Sequence, residues 1–322
     1  MNKFAVVFPG QGSQYVQMGF DFYTQFPVAK QVFDQADEIL GYSLSSIIFN
    51  GLEETLRITK YTQPALFVTS LAVWSVFKEL GITPSFMAGH SLGEYSALAA
   101  AESISFADGL MMVSKRGQFM EDAVPSGQGT MAAVMGMEID PLTAICHQIT
   151  EAGNIVELAN INTPNQIVIS GTTNGVEQAI ELAKNNGARR VIPLSVSGPF
   201  HSRLMQPAKE KLQPIVNNST IYEAKIPVVM NVTGKGEIDP IKIRSNLIDQ
   251  VVSPVLWTNS VEWMIANGVD TFIELGPGKV LSGLVKKIDK SKAAYSIENV
   301  ASWDDFLAKE MNHQKGEIHV DV

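Results

Sequence analysis

Cysteine is almost absent: Cys146 is the single one in 322 residues. An internal disulfide is therefore impossible and a thiolate-based zinc site has no second ligand. No metal centre is expected, and Cys146 reads as a small core residue. Long apolar runs are missing too. No stretch approaches the ~20 residues of a membrane span, and the apolar run Phe4 to Pro9 is too short for a signal-peptide core, so a cytoplasmic protein without membrane association is expected. Basic charge is in deficit, with 24 Lys and Arg against 33 Asp and Glu. The net charge of -9 argues against nucleic acid or an anionic membrane as the main partner. Internal repeats and low-complexity tracts are absent, and nothing advertises a large exposed apolar face, so a monomer is the default expectation.

What is present is ample core material, 45% hydrophobic residues in a chain long enough for two packed units. Strand-like runs recur at Phe4 to Phe8, Phe86 to Ala88, Pro227 to Val232, Thr271 to Leu275 and Ala293 to Ile297. Helical patterns lie between them, which predicts an α/β fold with a parallel sheet and helices on both faces. From Thr130 to Ser195 the rhythm changes to strand (Met131 to Met135), helix (Pro141 to Glu151), strand (Ile155 to Ala159), strand (Gln166 to Ser170), helix (Gly175 to Asn186) and strand (Arg189 to Leu194). That βαββαβ order is ferredoxin-like. Turn-rich stretches flank it, Val124-Pro125-Ser126-Gly127-Gln128-Gly129 before and Ser197-Gly198-Pro199 after. A small unit over residues 124–196 is therefore expected to be inserted into a larger α/β unit of residues 1–123 and 197–322, with a cleft where they meet. Near the C-terminus Ser302 is expected to cap a short helix through Leu307, and residues 312–322 to fray.

Gly89-His90-Ser91-Leu92-Gly93 is a G-x-S-x-G run between the strand-like Ser85 to Ala88 and the small-residue helix Glu94 to Ala101, the context of a nucleophile elbow. Glycines suit such a corner because side chains do not fit there, and the helix N-terminus behind Ser91 offers free N–H groups to a developing oxyanion. An ordinary βα turn containing a serine is the alternative that five residues leave open. A serine nucleophile needs a base, and five histidines are present. His313 and His319 lie in the tail, His147 sits on a helix of the insert, and His90 leaves the strand on the side opposite Ser91. His201, on the Gly/Pro loop after the insert, remains as the candidate base.

No Asp or Glu between Ser91 and His201 stands out as the third member of a hydrolase triad. A Ser–His dyad is suggested, its histidine oriented by a neutral amide or carbonyl. Gln11, on the loop after the first strand, can offer a second oxyanion donor beside Leu92 through its backbone N–H. Arg116 by itself reads as a solvated surface arginine; a carboxylated substrate would make it a two-pronged clamp. Two loops imitate phosphate cradles. Gly10-Gln11-Gly12 opens a G-x-G-x-x-G run whose last position is Tyr15. Gly278-Lys279 ends a P-loop-like run in which Ile273 and Val280 stand where Gly and Ser or Thr are required.

Six motifs together resemble one family, the bacterial malonyl-CoA:acyl carrier protein transacylases of fatty acid synthesis. They are Phe8-Pro9-Gly10-Gln11-Gly12-Ser13-Gln14, Thr62-Gln63-Pro64-Ala65, Gly89-His90-Ser91-Leu92-Gly93-Glu94, Lys115-Arg116-Gly117, Ser197-Gly198-Pro199-Phe200-His201-Ser202 and Glu274-Leu275-Gly276-Pro277-Gly278-Lys279-Val280-Leu281. The resemblance implies an α/β-hydrolase-like large subdomain with an inserted ferredoxin-like small one, and a serine acyltransferase with no permanently bound cofactor. Ser91 would attack malonyl-CoA with His201 as base and Gln250 orienting it. The N–H groups of Gln11 and Leu92 would hold the oxyanion, Arg116 would grip the free malonyl carboxylate, and Phe200, His90 and Asn162 would line the substrate. The phosphopantetheine thiol of holo acyl carrier protein, a transient partner, would then take the malonyl group in a ping-pong cycle.

Phe200 is similar to the bulky residue of malonyl-specific relatives, where polyketide homologues choosing methylmalonyl carry a smaller one. Thr163-Pro164-Asn165 after Asn162 departs from the Cys-Pro-Gly of many relatives. An acidic carrier protein would need a local positive face, for which Arg189, Arg190, Lys286 and Lys287 are candidates. The alternatives are a free-standing acyltransferase of a polyketide synthase, a serine thioesterase or esterase, and a non-catalytic carrier-docking module.

Overall fold

A computed structural model describes residues 3–317. Among them, ten strands form two sheets: β1 (Phe4–Phe8), β2 (Phe86–Gly89), β3 (Gly129–Met135), β4 (Val156–Thr163), β5 (Gln166–Thr172), β6 (Arg190–Pro193), β7 (Val228–Met230), β8 (Lys235–Glu237), β9 (Thr271–Leu275) and β10 (Ala293–Ile297). The first sheet runs β10-β9-β1-β2-β7-β8 and is parallel except for β8, which folds back on β7. The second is antiparallel, in the order β4-β5-β3-β6. This is the strand order that a βαββαβ unit of ferredoxin-like type requires. The edge strand β8 is the element that sequence reading missed. Lys235, Gly236 and Glu237 carry no apolar run, and the strand exists because Gly234, at φ 63°, turns the chain back with its N–H on Met230 O.

β1 is buried along its whole length, the near-continuous apolar run of a central parallel strand. It lies between β2 and β9, so the chain departs from it in both directions across the sheet. A crevice opens at the carboxyl ends of strands at such a reversal. Phe8 pairs with Gly89 and Val7 with Glu274, so the loops starting at Pro9, His90 and Gly276 emerge together at that edge.

In the antiparallel sheet, the helices Ile139–Glu151 and Thr173–Asn185 cover one face through Leu142, Ile145, Cys146, Val176 and Ala179. The opposite face gives Met131, Ala133, Ala159 and Val168 to the main core. Irregularities in β4 decide which side chains look which way. The ladder steps from Leu158 opposite Ile169 to Asn160 opposite Val168, so two residues of β4 oppose one of β5. An extra residue reverses the in-out alternation. Val156 and Leu158 therefore face the helices, while Asn160 and Asn162 are freed for the other side, with Ile161 taking the helix face.

The C-terminal helix runs Val300–Glu317 rather than ending at Leu307. Its cap is Asn299, not Ser302. Asn299 Oδ1 accepts the Ser302 N–H at 2.8 Å, and Ser302 Oγ accepts the N–H groups of Glu298 and Asn299 at 3.0 and 3.1 Å, a reciprocal capping box. Trp303 and Phe306 then dock on the Phe77 ring, anchoring the helix to the core. Of the tail expected to fray, residues 312–317 are helical and 318–322 lie outside the described residues. No helix among the described residues is long and apolar enough to cross a membrane.

The strand-to-helix corner after β2 has no spare room. A Cβ on Gly89 would lie 1.9 Å from the Gly93 carbonyl carbon, and one on Gly93 would lie 2.1 Å from Phe8 O. Gly93→Ala should therefore lower stability by about 3 kcal/mol or more, because rigid backbone rather than a flexible side chain has to yield. Thermal unfolding of the variant beside the parent checks this, and an unchanged melting temperature would contradict the packing described.

Candidate active site

Ser91 stands at that corner with φ 52°, in the left-handed region. A non-glycine residue there costs about 1–3 kcal/mol and persists only where surrounding bonds fix it. Asn231, the residue after β7, does the fixing: its Oδ1 accepts the Ser91 N–H at 2.7 Å and its Nδ2 donates to Gly89 O at 2.7 Å. The helix that follows, Gly93–Ala100, begins directly behind the serine. The backbone N–H groups of Leu92 and Gln11 have no acceptor among the described residues, and both residues line the same small chamber as Ser91.

His201 also has a positive φ, 58°. Its loop is drawn tight by the Ser202 hydroxyl, which donates to Pro199 O at 2.7 Å. Nε2 lies 2.7 Å from Ser91 Oγ. Nδ1 faces two main-chain carbonyls, Gln250 O at 3.0 Å and Ser253 O at 3.2 Å. Two acceptors on one side put the ring proton on Nδ1 and leave the Nε2 lone pair to the serine hydroxyl. No carboxylate among the described residues touches this histidine. Burial, together with the Arg116 charge, pushes its pKa down to about 3, so the ring is neutral at ordinary pH.

Arg116 is not at the surface. It is 1% exposed on the helix Phe106–Glu121, which correctly reverses its reading as a solvated side chain. Gly117 explains how: a Cβ there would lie 2.7 Å from Thr59 O, so only glycine lets this helix abut the start of the helix Thr59–Lys78. Arg116 Nη1 then donates to Gln63 Oε1 at 2.8 Å, while Nη2 donates to Gln250 Oε1 at 2.8 Å and to Ser91 Oγ at 3.0 Å. Its Nε is buried without a partner among the described residues. A buried guanidinium that reaches the nucleophile through Nη2 and has no acceptor for its Nε–H is under-compensated, and such a cation is a ready seat for an anion.

Gln250 does two jobs. Its carbonyl, at the end of the helix Pro240–Gln250 where helical acceptors go unused, serves His201. Its side chain serves Arg116 through Oε1 and donates through Nε2 to Ser91 O at 2.9 Å and Glu94 Oε1 at 3.0 Å. The orienting group for the histidine is thus the peptide carbonyl rather than the amide side chain.

His90 turns away from Ser91 Oγ, with Nε2 2.8 Å from Asn162 Oδ1 and its ring tilted on Trp257. Burial lowers its pKa as well. Phe200, 6% exposed, joins Met120, Met131 and Leu194 in lining the inner chamber of about 100 Å³ around Ser91. That chamber shares Gln11, His90, Asn160, Leu194 and Val196 with an open cleft of about 560 Å³. Asn162, Val168, Leu284 and the loop Gly10 to Gln14 complete the cleft.

Among the other candidates, His147 is exposed on its helix and Cys146 is in the core of the antiparallel sheet. Lys287 Nζ reaches Gln166 Oε1, a cleft residue, at 3.5 Å, and Arg189, Arg190 and Lys286 are exposed near the same end of that sheet. The P-loop imitation is closed by acids. Glu274 accepts the N–H groups of Leu281 and Ser282, and Glu298 that of Gly278, so carboxylates occupy the donors a phosphate would need. No group of three metal-ligating side chains occurs among the described residues.

Sequence reading missed Glu94, Asn231, Gln63 and Ser253 as site residues. Gln63 and Glu94 stood inside quoted motifs without a role. Asn231 carried a weaker signal, a polar residue closing a strand that neighbours the elbow strand.

Because His201 resists protonation, the acidic limb of acylation (kcat/KM against pH) should fall well below 6.5, the usual histidine value. The unfolded chain protonates this ring near pH 6.5, so the part of folding stability that His201 contributes should fall as pH drops from there, by on the order of 2 kcal/mol at pH 5. The buried carboxyls Glu94 and Glu274, raised to about 8 and about 7, act in the opposite sense, so the His201 part is read as the difference between the parent and His201→Gln in denaturant unfolding at pH 7 and 5. An activity limb centred near 6.5 would count against the buried neutral ring.

The acyl transferase domain family matches residues 5–313. The chain is 56% identical to the malonyl CoA-acyl carrier protein transacylase of Bacillus subtilis, over 93% of this chain and 94% of that protein. An acyl carrier protein S-malonyltransferase structure from Vibrio cholerae superposes with a TM-score of 0.92 at 46% identity, covering 94% of this chain and 99% of that one. A solved malonyl-transacylase in complex with its type II PKS acyl-carrier protein superposes with a TM-score of 0.91 at 43% identity, covering 93% and 97%.

Proposed function

The chain belongs to the acyl transferase domain family and, within it, to the malonyl CoA-acyl carrier protein transacylases, and we propose that it works through a malonyl ester on Ser91 Oγ. It is an acyltransferase that moves malonyl from malonyl-CoA to the phosphopantetheine thiol of acyl carrier protein. The observation that carries the residue-level reading is the buried Arg116 cation held 3.0 Å from the serine oxygen, with its Nε–H unpartnered among the described residues.

As Ser91 Oγ attacks the thioester carbonyl, its proton passes to His201 Nε2, 2.7 Å away. The negative charge that develops on the carbonyl oxygen falls to the N–H groups of Leu92 and Gln11. Collapse of the tetrahedral intermediate breaks the C–S bond, and the CoA sulfur leaves with the proton from Nε2. The carrier thiol then repeats the sequence on the ester: its proton goes to Nε2, its sulfur bonds to the carbonyl carbon, and Ser91 Oγ leaves and recovers the proton. The larger cleft suits the long pantetheine arm, and both thiols reach the same serine by it in turn.

Arg116 gives selectivity and more. A carboxylate docked on it cancels part of the charge that depresses His201, so a malonyl substrate raises the basicity of the very group that must act as base. Acetyl-CoA brings no such charge. The catalytic unit in this reading is residues 1–123 and 197–322, with 124–196 as an insert that supplies the far wall of the cleft; Asn160, Asn162 and Val168 support it. No resident cofactor is needed, since the two substrates bring the thioester and the thiol.

Intact-protein mass spectrometry after brief mixing with malonyl-CoA, then with holo acyl carrier protein, tests the whole scheme. One malonyl adduct that forms on the parent but not on Ser91→Ala, and is recovered on the carrier, supports it. Release of free malonate whatever the acceptor would mean a thioesterase. A carrier from polyketide synthesis is a second reading, favoured by the solved complex with a type II PKS carrier, and presenting both carriers distinguishes them. Arg116→Ala should lower kcat/KM for malonyl-CoA by about one and a half to three and a half orders of magnitude, the ~2–5 kcal/mol of a disrupted buried charge pair, and should cost the residual acetyl-CoA reaction less, because acetyl brings no carboxylate to that seat. In the same assay Phe200→Ser should shift preference toward methylmalonyl-CoA, and an unchanged preference would remove Phe200 as the size filter.

A further inference from the structure

Glu94, at zero exposure on the elbow helix, has no role in the acyl transfer described above. Both of its oxygens are engaged. Oε2 accepts the main-chain N–H of Asn231, and Oε1 accepts Gln250 Nε2–H at 3.0 Å. The same Gln250 amide turns its Oε1 to Arg116 Nη2 at 2.8 Å. One amide thus bridges a buried carboxylate and a buried guanidinium, donor end to the anion and acceptor end to the cation. The Asn231 peptide joins the same carboxylate to the residue that clamps the Ser91 backbone.

The charges facing Glu94 are few. Arg116 on the helix Phe106–Glu121 is the cation; Tyr95 is its own helix neighbour; His90 after β2 and His201 after β6 are the remaining titratable groups of the cluster. Burial holds Tyr95 up at about 12 and both histidines down, so these three are neutral. On the alkaline side of about pH 8, where Glu94 is ionised, the free site therefore balances one positive group against one negative group. A malonyl carboxylate arriving on Arg116 adds a second anion beside the buried Arg116 and Glu94, where an uncompensated charge is costly.

We infer that Glu94 is the resident counter-ion of Arg116 and takes up a proton from solvent when a malonyl group occupies the site. The inference rests on the proposed seat of the malonyl carboxylate on Arg116. Its proton balance is simple: water-borne H⁺ adds to a Glu94 oxygen, and buried charge returns to neutral. Burial already pushes Glu94 up to about 8 against the opposing pull of the Asn231 N–H, Arg116 and Gln250, so a nearby anion can complete the protonation within the working pH range. Through Gln250 and Asn231, Glu94 is a positioning residue: it fixes which end of the Gln250 amide faces the arginine, and it reports substrate charge as a proton.

The test is calorimetry of malonyl-CoA binding to Ser91→Ala, which cannot turn over, in buffers of different ionisation enthalpy between about pH 7 and about pH 9. Proton uptake per bound ligand should rise from near zero at the acid end, where Glu94 is already protonated, toward one at the alkaline end. In Ser91→Ala/Glu94→Gln the uptake should vanish while binding persists. Binding without pH-dependent uptake, or uptake unchanged in the double variant, overturns the inference and leaves the transacylase reading intact. Failure of malonyl-CoA to bind Ser91→Ala at all overturns the inference together with the proposed seat of the malonyl carboxylate on Arg116. Should Glu94→Gln fail to fold, infrared difference spectra of Ser91→Ala labelled with ¹³C-glutamate decide it. A labelled protonated-carboxyl band appearing on addition of malonyl-CoA supports the proton uptake, and its absence refutes it.

Discussion

The burial of one guanidinium governs the site. Taking an ion out of water costs several kcal/mol even after the protein relaxes around it, so each neighbour of Arg116 is constrained to offer compensation. Gln63 comes from the long helix Thr59–Lys78, Gln250 from the end of the helix Pro240–Gln250, the serine oxygen from the elbow, and the face of Tyr95 lies 5.5 Å from the guanidinium carbon. The compensation is deliberate in its incompleteness, because Nε stays unmatched. A site that satisfied the cation fully would have no reason to prefer a carboxylated acyl group.

The same few polar groups carry several loads. Asn231 holds the strained Ser91 backbone with its side chain and Glu94 with its peptide N–H. Gln250 holds His201 with its carbonyl and Arg116 with its amide. Nucleophile, base and anion seat therefore share a framework, and a change in any member is felt by the others, so single-residue effects here will not add independently. The absence of a carboxylate on His201 follows from this economy: two peptide carbonyls set the tautomer, while the nearby acid is reserved for the arginine side of the network.

The cleft is a product of two sheets. Parallel strands converge their carboxyl-end loops on the serine, and the antiparallel sheet turns a polar face toward them because the irregular β4 re-aims Asn160 and Asn162. The Gly278-Lys279 loop shows the converse. It has the look of a phosphate cradle in sequence, yet Glu274 and Glu298 take up its N–H donors, and a second anion would meet carboxylates rather than open amides.

The local order of elements was legible in the sequence, since strand and helix periodicities act over a few residues: β1, β9 and β10 lie where their apolar runs do, and the βαββαβ order emerges intact. So were Ser91 and His201, one from a corner that only small residues can make, the other by elimination among five histidines. What the sequence could not say is which side chains share a buried volume. Taken alone, without the family resemblance that set it on the malonyl carboxylate, Arg116 read as a surface residue, because its burial depends on Gly117 meeting Thr59, far away in the chain. The edge strand β8 exists through pairing with β7 and not through its own residues, and the C-terminal helix persists because Trp303 and Phe306 find Phe77. Glu94 sits in a motif that assigned it no role, Gln250 was placed through the resemblance alone, and Asn231 has no local signature of function. Pairing, burial and charge compensation are properties of the assembled core, so only the tertiary structure could unite them beneath the serine.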